Sequence, residues 1–166
     1  TAAEERKPRA PYLVEQGLAR TMAEQGYYEV EPERLEAWAK LATNSRLDAA
    51  PAPGSHALVL FSVGLGVVRA NYTTLAEELA SHGFVFALVE SPLAGLMLRP
   101  DGTVVQDTSD RLERADGHRE AVDEWCQDLR FVLTRRAGEG GDASLAAISA
   151  TLDLERVATL GHSSGG

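Results

Sequence analysis

The sequence predicts an α/β fold: a mostly parallel sheet with flanking helices. Three apolar runs carry this expectation, "ALVLFS" at 57–62, "FVFALVE" at 84–90 and "RVATL" at 156–160. Each is short and continuous, as in strands buried on both faces. The stretches between them show helical spacing, and strand, helix, strand, helix, strand is the signature of a parallel sheet covered by helices.

Composition sets the outer bounds. The 166 residues are 44% hydrophobic and 25% charged, enough apolar material for one globular domain. A formal net charge of −9 argues against nucleic acid as partner, because phosphate binding needs clustered Lys and Arg. No apolar run approaches the roughly 18 residues of a membrane span. The lone Cys126 excludes an intrachain disulfide. Thr1 stands where Met would begin a nascent chain, which suits a trimmed chain or one freed of an export signal; a secreted or periplasmic place is compatible with this, and the compartment stays open.

The elements follow in order. Residues 1–50 read as an N-terminal arm and helices, and 51–166 as an α/β portion that ends on a sharp turn. Residues 1–11, with Pro8 and Pro11, suggest a loosely held arm. Leu13, Leu18 and Met22 give a weak helical pattern over 12–25. Pro32 suits a first helical turn, with Leu35, Trp38, Ala39 and Leu41 at helical spacing behind it. The Pro- and Gly-containing stretch 47–56 is a connector.

Behind the first apolar run, Asn71, Thr73 and Thr74 offer N-caps, with Thr74 and Glu77 at capping-box spacing. Leu75, Ala76, Leu79 and Ala80 mark one face of that helix, and Gly83 closes it. "RPDGTVV" at 99–105 predicts a small hairpin through its Asp-Gly pair. His118, Val122, Trp125, Leu129 and Val132 predict one buried stripe along a helix at 110–136. A short helix over 143–151 precedes the last strand.

That strand runs into "GHSSGG", 161–166, a G-x-S-x-G pentapeptide. A serine nucleophile needs to stand on a sharp strand-to-helix turn so that its hydroxyl projects into open space. Side chains two residues before and after would collide with the neighbouring strand and helix, so glycine is needed at both places, here Gly161 and Gly165. Ser163 is therefore the expected nucleophile. The oxyanion of a tetrahedral intermediate must be held by backbone N–H groups. Ser164, next after the serine, supplies one. The loop "FSVGLG", 61–66, supplies the other at Leu65, where Gly64 and Gly66 let the backbone approach a ligand.

Together, "LVLFSVGLGVVRANYTTLAEELASHGFVFALVESP" and "GHSSGG" resemble the α/β-hydrolase family that contains the platelet-activating-factor acetylhydrolases and their bacterial relatives. That group borders the dienelactone-hydrolase-like and cutinase-like esterases. The resemblance spans about residues 45–166, and "WCQDLRFVL", 125–133, is similar to the helix before the nucleophile strand. It implies an α/β-hydrolase fold, incomplete in this chain, and hydrolysis of a small-molecule or lipid ester of short-chain acyl or phospholipid-acetyl type, with no cofactor and no metal. It places the nucleophile at Ser163 and oxyanion donors at Leu65 and Ser164. Val63 stands where relatives often carry histidine, and Ser164 where a larger side chain is common.

In this fold the triad order is nucleophile, acid, histidine. The acid and histidine are therefore expected beyond residue 166, in a C-terminal continuation or complementary fragment, and residues 1–166 alone are expected to be inactive. The four histidines read as structural: His56 in the connector, His82 at a helix C-terminus, His118 on the apolar stripe, and His162 turned away from its neighbour Ser163. Asp107, Asp110 and Asp116 read as helix-start or surface charges.

Two further readings compete. "GLGVVR", 64–69, with Glu90 ending the next strand, suits a dinucleotide-binding turn, although Arg69 stands at the third glycine. A non-catalytic binding module that keeps the turn as architecture is the other. Leu93, Leu96, Met97 and Leu98 form an apolar loop suited either to an acyl or lid surface or to ordinary packing.

Overall fold

The computed structural model describes residues 6–13, 18–24, 26, 29–92, 96–99, 103–106, 110–134 and 143–166. Leu93, Asp107, the Asp101-Gly102 pair and positions 135–136 of the expected long helix lie outside them. The chain divides into two units: Thr1–Ala49 with Leu98–Val105, and Ala50–Met97 with Gln106–Gly166.

In the first unit, β1 (Arg9–Pro11) is followed by α1 (Leu18–Glu24), α2 (Pro32–Ala39) and β2 (Ala42–Arg46). Pro32 opens α2, where its missing N–H is no loss. Leu18, Ala19 and Met22 of α1 bury with Leu35 and Ala39 of α2. Leu41, expected on the helical face, lies beyond α2 and is exposed. The arm is not loose at its inner end: β1 pairs antiparallel with β2. Thr43 Oγ1 donates to Ala10 O at 2.9 Å, and Arg46 donates to Lys7 O at 2.7 Å. The ring of Tyr12 lies 4.4 Å from that of Trp38. Prolines 8 and 11 fit an edge strand, which the polar composition concealed.

The second unit is built on β3 (His56–Ser62), the middle strand of a parallel sheet ordered β4-β3-β7, with β4 at Val85–Val89 and β7 at Leu152–Gly161. Leu58 to Phe61 and Val63 are buried, and the "ALVLFS" run reads as a two-sided core strand because both its edges are paired. β4 is only half-buried throughout, and β7 is exposed from Leu154 onward. Among the described residues each has one strand neighbour, so three apolar runs reach three different burials. His56 begins β3 rather than sitting in a connector. Its ring nitrogens lie 3.0 Å from the carbonyls of Gly83 and Ala52.

Between β3 and β4 runs α3 (Thr73–Ser81), entered through a 3-10 turn at Arg69–Tyr72. The expected capping box does not form. Tyr72 occupies the N-cap without a side-chain bond, and Thr73 turns its hydroxyl back to Ala70 O at 2.7 Å. Of the expected apolar face, Ala76 and Leu79 are half-buried and Leu75 and Ala80 exposed. The C-terminus follows expectation. Gly83 takes φ +86°, its N–H reaches Ala80 O, and the Phe84 N–H reaches Leu79 O, a Schellman closure.

The strands β5 (Leu96–Leu98) and β6 (Val104–Gln106) form a two-stranded ribbon, closed by Arg99 N–H to Thr103 O at 2.9 Å. Leu96, Met97 and Leu98 are thus strand and not loop. The long helix is α4 (Gly117–Thr134), preceded by a 3-10 turn at Arg111–Glu113. Its buried face is Gly117, Ala121 and Trp125, spaced four apart. The expected stripe is displaced: His118, Val122 and Val132 are exposed. Small side chains at 117 and 121 permit close approach of the helix, and Trp125 then fills the core with Phe61, Val63 and Ala121.

The helix α5 (Ala143–Ser149) leads into β7. The register of β7 on β3 jumps between Ala57↔Asp153 and Leu58↔Val157, so residues 154–156 bulge. Asp153 spans the bulge, accepting from Glu155 N–H at 3.0 Å and from Arg156 Nε at 2.6 Å. The Arg156 bond, then the Glu155 bond, holds the Asp153 carboxyl below the usual range. A depressed carboxyl pKa contributes stability above its unfolded value, lost as pH falls through the folded one. In a carbon-13 carboxyl titration Asp153 is expected to have a midpoint below the ordinary aspartate value, and Arg156→Gln to move it up toward that value.

Candidate active site

The loops after β3 and β7 open side by side at the carboxyl end of the sheet, because the chain leaves β3 on one edge for β4 and returns on the other as β7. Open α/β sheets bind ligands at such a position. After β3, residues 64–67 form a tight turn, with Val67 N–H on Gly64 O at 3.2 Å and Gly66 at φ +70°. Positive φ at the third residue is the type II arrangement, which glycine accepts without strain.

After β7, Gly161 ends the strand, His162 is extended, and Ser163–Gly165 make a 3-10 turn. Ser163 has φ +55°, a left-handed conformation that costs a residue with a Cβ about 1–3 kcal/mol. The turn is held by Gly165 N–H to His162 O at 2.9 Å and Gly166 N–H to Ser163 O at 3.1 Å. Both flanking glycines are sterically enforced. A Cβ on Gly165 would stand 2.5 Å from Val63 O and 2.6 Å from Ser62 O. One on Gly161 would overlap the Gly165 carbonyl and lie 2.6 Å from Gly166 Cα. The elbow thus folds back against the end of β3, to which His162 N–H also donates at Ser62 O, 3.2 Å.

Ser163 is exposed, and Ser164 and Leu65 are half-buried. Among the described residues the Leu65 and Ser164 N–H groups make no turn or loop hydrogen bond to the backbone. Gly64 N–H, by contrast, is taken by Tyr72 Oη at 3.2 Å. Val63 is 2% exposed, buried with Trp125 and Phe61. Sequence reasoning missed Tyr72. Its only signal was an aromatic residue in a polar stretch just behind the glycine turn.

The histidines lie elsewhere. His82 caps α3, its Nδ1 2.9 Å from Glu78 O, and His118 is exposed on α4. His162 directs Nδ1 to Tyr72 Oη at 2.9 Å. Asp110 and Asp116 accept backbone N–H groups at helix starts through their carbonyls. The Glu90 carboxylate accepts Arg69 N–H at 2.7 Å and the Arg69 guanidinium at 2.6 Å. That clamp removes the acid that a dinucleotide-binding turn would have offered to a ribose. Beside the elbow, a shallow depression is lined by Ser62, Val63, Val89, Ser91, Trp125 and Asp128. Among the described residues no cluster of His, Cys, Asp or Glu could hold a metal, and no helix is long and apolar enough to cross a membrane.

Residues 31–92 match the family "Platelet-activating factor acetylhydrolase, isoform II". The platelet-activating factor acetylhydrolase of Cavia porcellus is 30% identical over 129 residues, 66% of this chain and 30% of that protein. The solved ferulic acid esterase from Streptomyces cinnamoneus aligns with 97% of this chain and 42% of its own, at 31% identity and a TM-score of 0.76. The chain shares the α/β-hydrolase fold and is similar to esterases of that family. It spans less than half the length of these two relatives.

The glycine geometry of this α/β-hydrolase elbow yields a direct expectation. Gly165→Ala is expected to lower stability by at least about 2 kcal/mol, because backbone carbonyls cannot yield as side chains do. A shifted guanidinium midpoint at unchanged slope would show it.

Proposed function

We propose that the protein is a serine hydrolase of carboxylic esters, of short-chain acyl or phospholipid-acetyl type, acting in lipid or small-ester degradation. The observation that carries this reading is Ser163, a non-glycine residue at φ +55° on the tip of β7, opposite a glycine turn whose Leu65 N–H makes no turn or loop hydrogen bond to the backbone. The names of the relatives, an acetylhydrolase and an esterase, agree with it.

Ser163 Oγ attacks the ester carbonyl carbon, and the carbonyl oxygen becomes an oxyanion held by the N–H groups of Leu65 and Ser164. These fixed dipoles stabilise charge that exists only in the transition state, worth about 3–4 kcal/mol for one such donor. The alcohol departs, leaving an acyl group on Ser163, and water releases it. A serine hydroxyl needs a base to lose its proton near neutrality. His56, His82, His118 and His162 are each placed away from that task. We assign the base and its acid to a C-terminal continuation or complementary fragment beyond residue 166, so residues 51–166 form the first part of the catalytic domain.

In protein carrying that continuation, a fluorophosphonate probe is expected to label Ser163, and Ser163→Ala to lose both the label and at least about 10³-fold of p-nitrophenyl acetate turnover. Residues 1–166 alone are expected to be slower by a similar factor. Labelling at another residue, or equal activity of the shorter chain, would overturn the reading.

A further inference from the structure

The two loops of the site are joined by one hydroxyl. Tyr72 Oη accepts the Gly64 N–H at 3.2 Å from the turn that presents Leu65, and lies 2.9 Å from Nδ1 of His162, the residue before Ser163. Gly64 has no room for a side chain there, since a Cβ would stand 2.7 Å from His162 Nδ1. The Tyr72 ring is itself fixed, 4.5 Å from the ring of Phe61 on β3 and packed on the core of Phe61, Val63, Ala121 and Trp125. Its hydroxyl therefore has a set position relative to both loops.

We propose that Tyr72 is a positioning residue that locks the Leu65 turn to the Ser163 elbow, a role that rests on the ester-hydrolase reading above. In this role Oη accepts from the Gly64 N–H and donates its own proton to Nδ1 of His162. Its function is to hold the elbow in register with the turn, so that a backbone N–H from each side of the bond meets the same oxyanion. Such alignment acts on the transition state more than on the bound ester, and a small misplacement can cost about 10²-fold in rate.

Tyr72→Phe keeps the ring and removes only the hydroxyl. In the protein that carries the continuation, this variant is expected to lose about 10- to 100-fold in kcat for p-nitrophenyl acetate with KM within about twofold. In nitrogen-15 spectra of histidine-labelled protein, the His162 Nδ1 signal should move out of its hydrogen-bonded acceptor position. His162→Asn, which retains an acceptor near Nδ1, should keep more kcat than His162→Leu. Unchanged kcat in Tyr72→Phe, or an unmoved Nδ1 signal, would overturn the assignment while the wild type still labels at Ser163. A wild type that neither turns over ester nor labels at Ser163 would overturn the hydrolase reading itself, and this role with it.

Discussion

The contact on which the site depends is a bare one: Gly165 laid against the carbonyls of Ser62 and Val63. It needs no hydrogen bond, only the absence of a side chain. Because the turn after β7 can reach so close to the end of β3, His162 comes within reach of Tyr72, and Ser163 is forced into its left-handed conformation at the surface. The strain is sustained by the 3-10 turn behind it and by parallel pairing of β7 along β3 from Val157 to Gly161. A backbone held in this way is over-determined, which is how unfavourable φ values persist in native folds.

Around this contact the sequence was legible where chemistry left a local mark. The three apolar runs gave the parallel sheet, Gly83 gave the end of α3, and Pro32 gave the start of α2. The spacing of Gly161, Ser163 and Gly165 gave the sharp turn after β7, since each of those residue types answers a steric demand within five positions. The pairing of Arg9–Pro11 with Ala42–Arg46 left no such mark. It joins segments some thirty residues apart, and nothing in either states its partner.

Burial was the harder inference. Periodicity on α4 ranked His118, Val122 and Val132 as inward together with Trp125, yet only Trp125 of these is buried, and it shares the inward face with Gly117 and Ala121. Side-chain hydrophobicity measures what a residue gains from burial, while helix approach is limited by what it leaves room for. The same distinction separates β3 from β4 and β7, whose letters are similar and whose exposure is not. The Tyr72 bridge between Gly64 and His162 was illegible for a related reason: its parts lie 8 and 90 residues apart in the chain.

The bulge at 154–156 divides β7 in two. Upstream of it the strand is anchored by Asp153 opposite Ala57, and downstream a fresh register begins at Val157 opposite Leu58. The intervening residues answer to neither ladder. Glu155 and Arg156 are tied instead to Asp153 and Ser55, so the downstream clasp alone sets where the serine is delivered, and the Asp153–Arg156 pair sets how the upstream strand joins it.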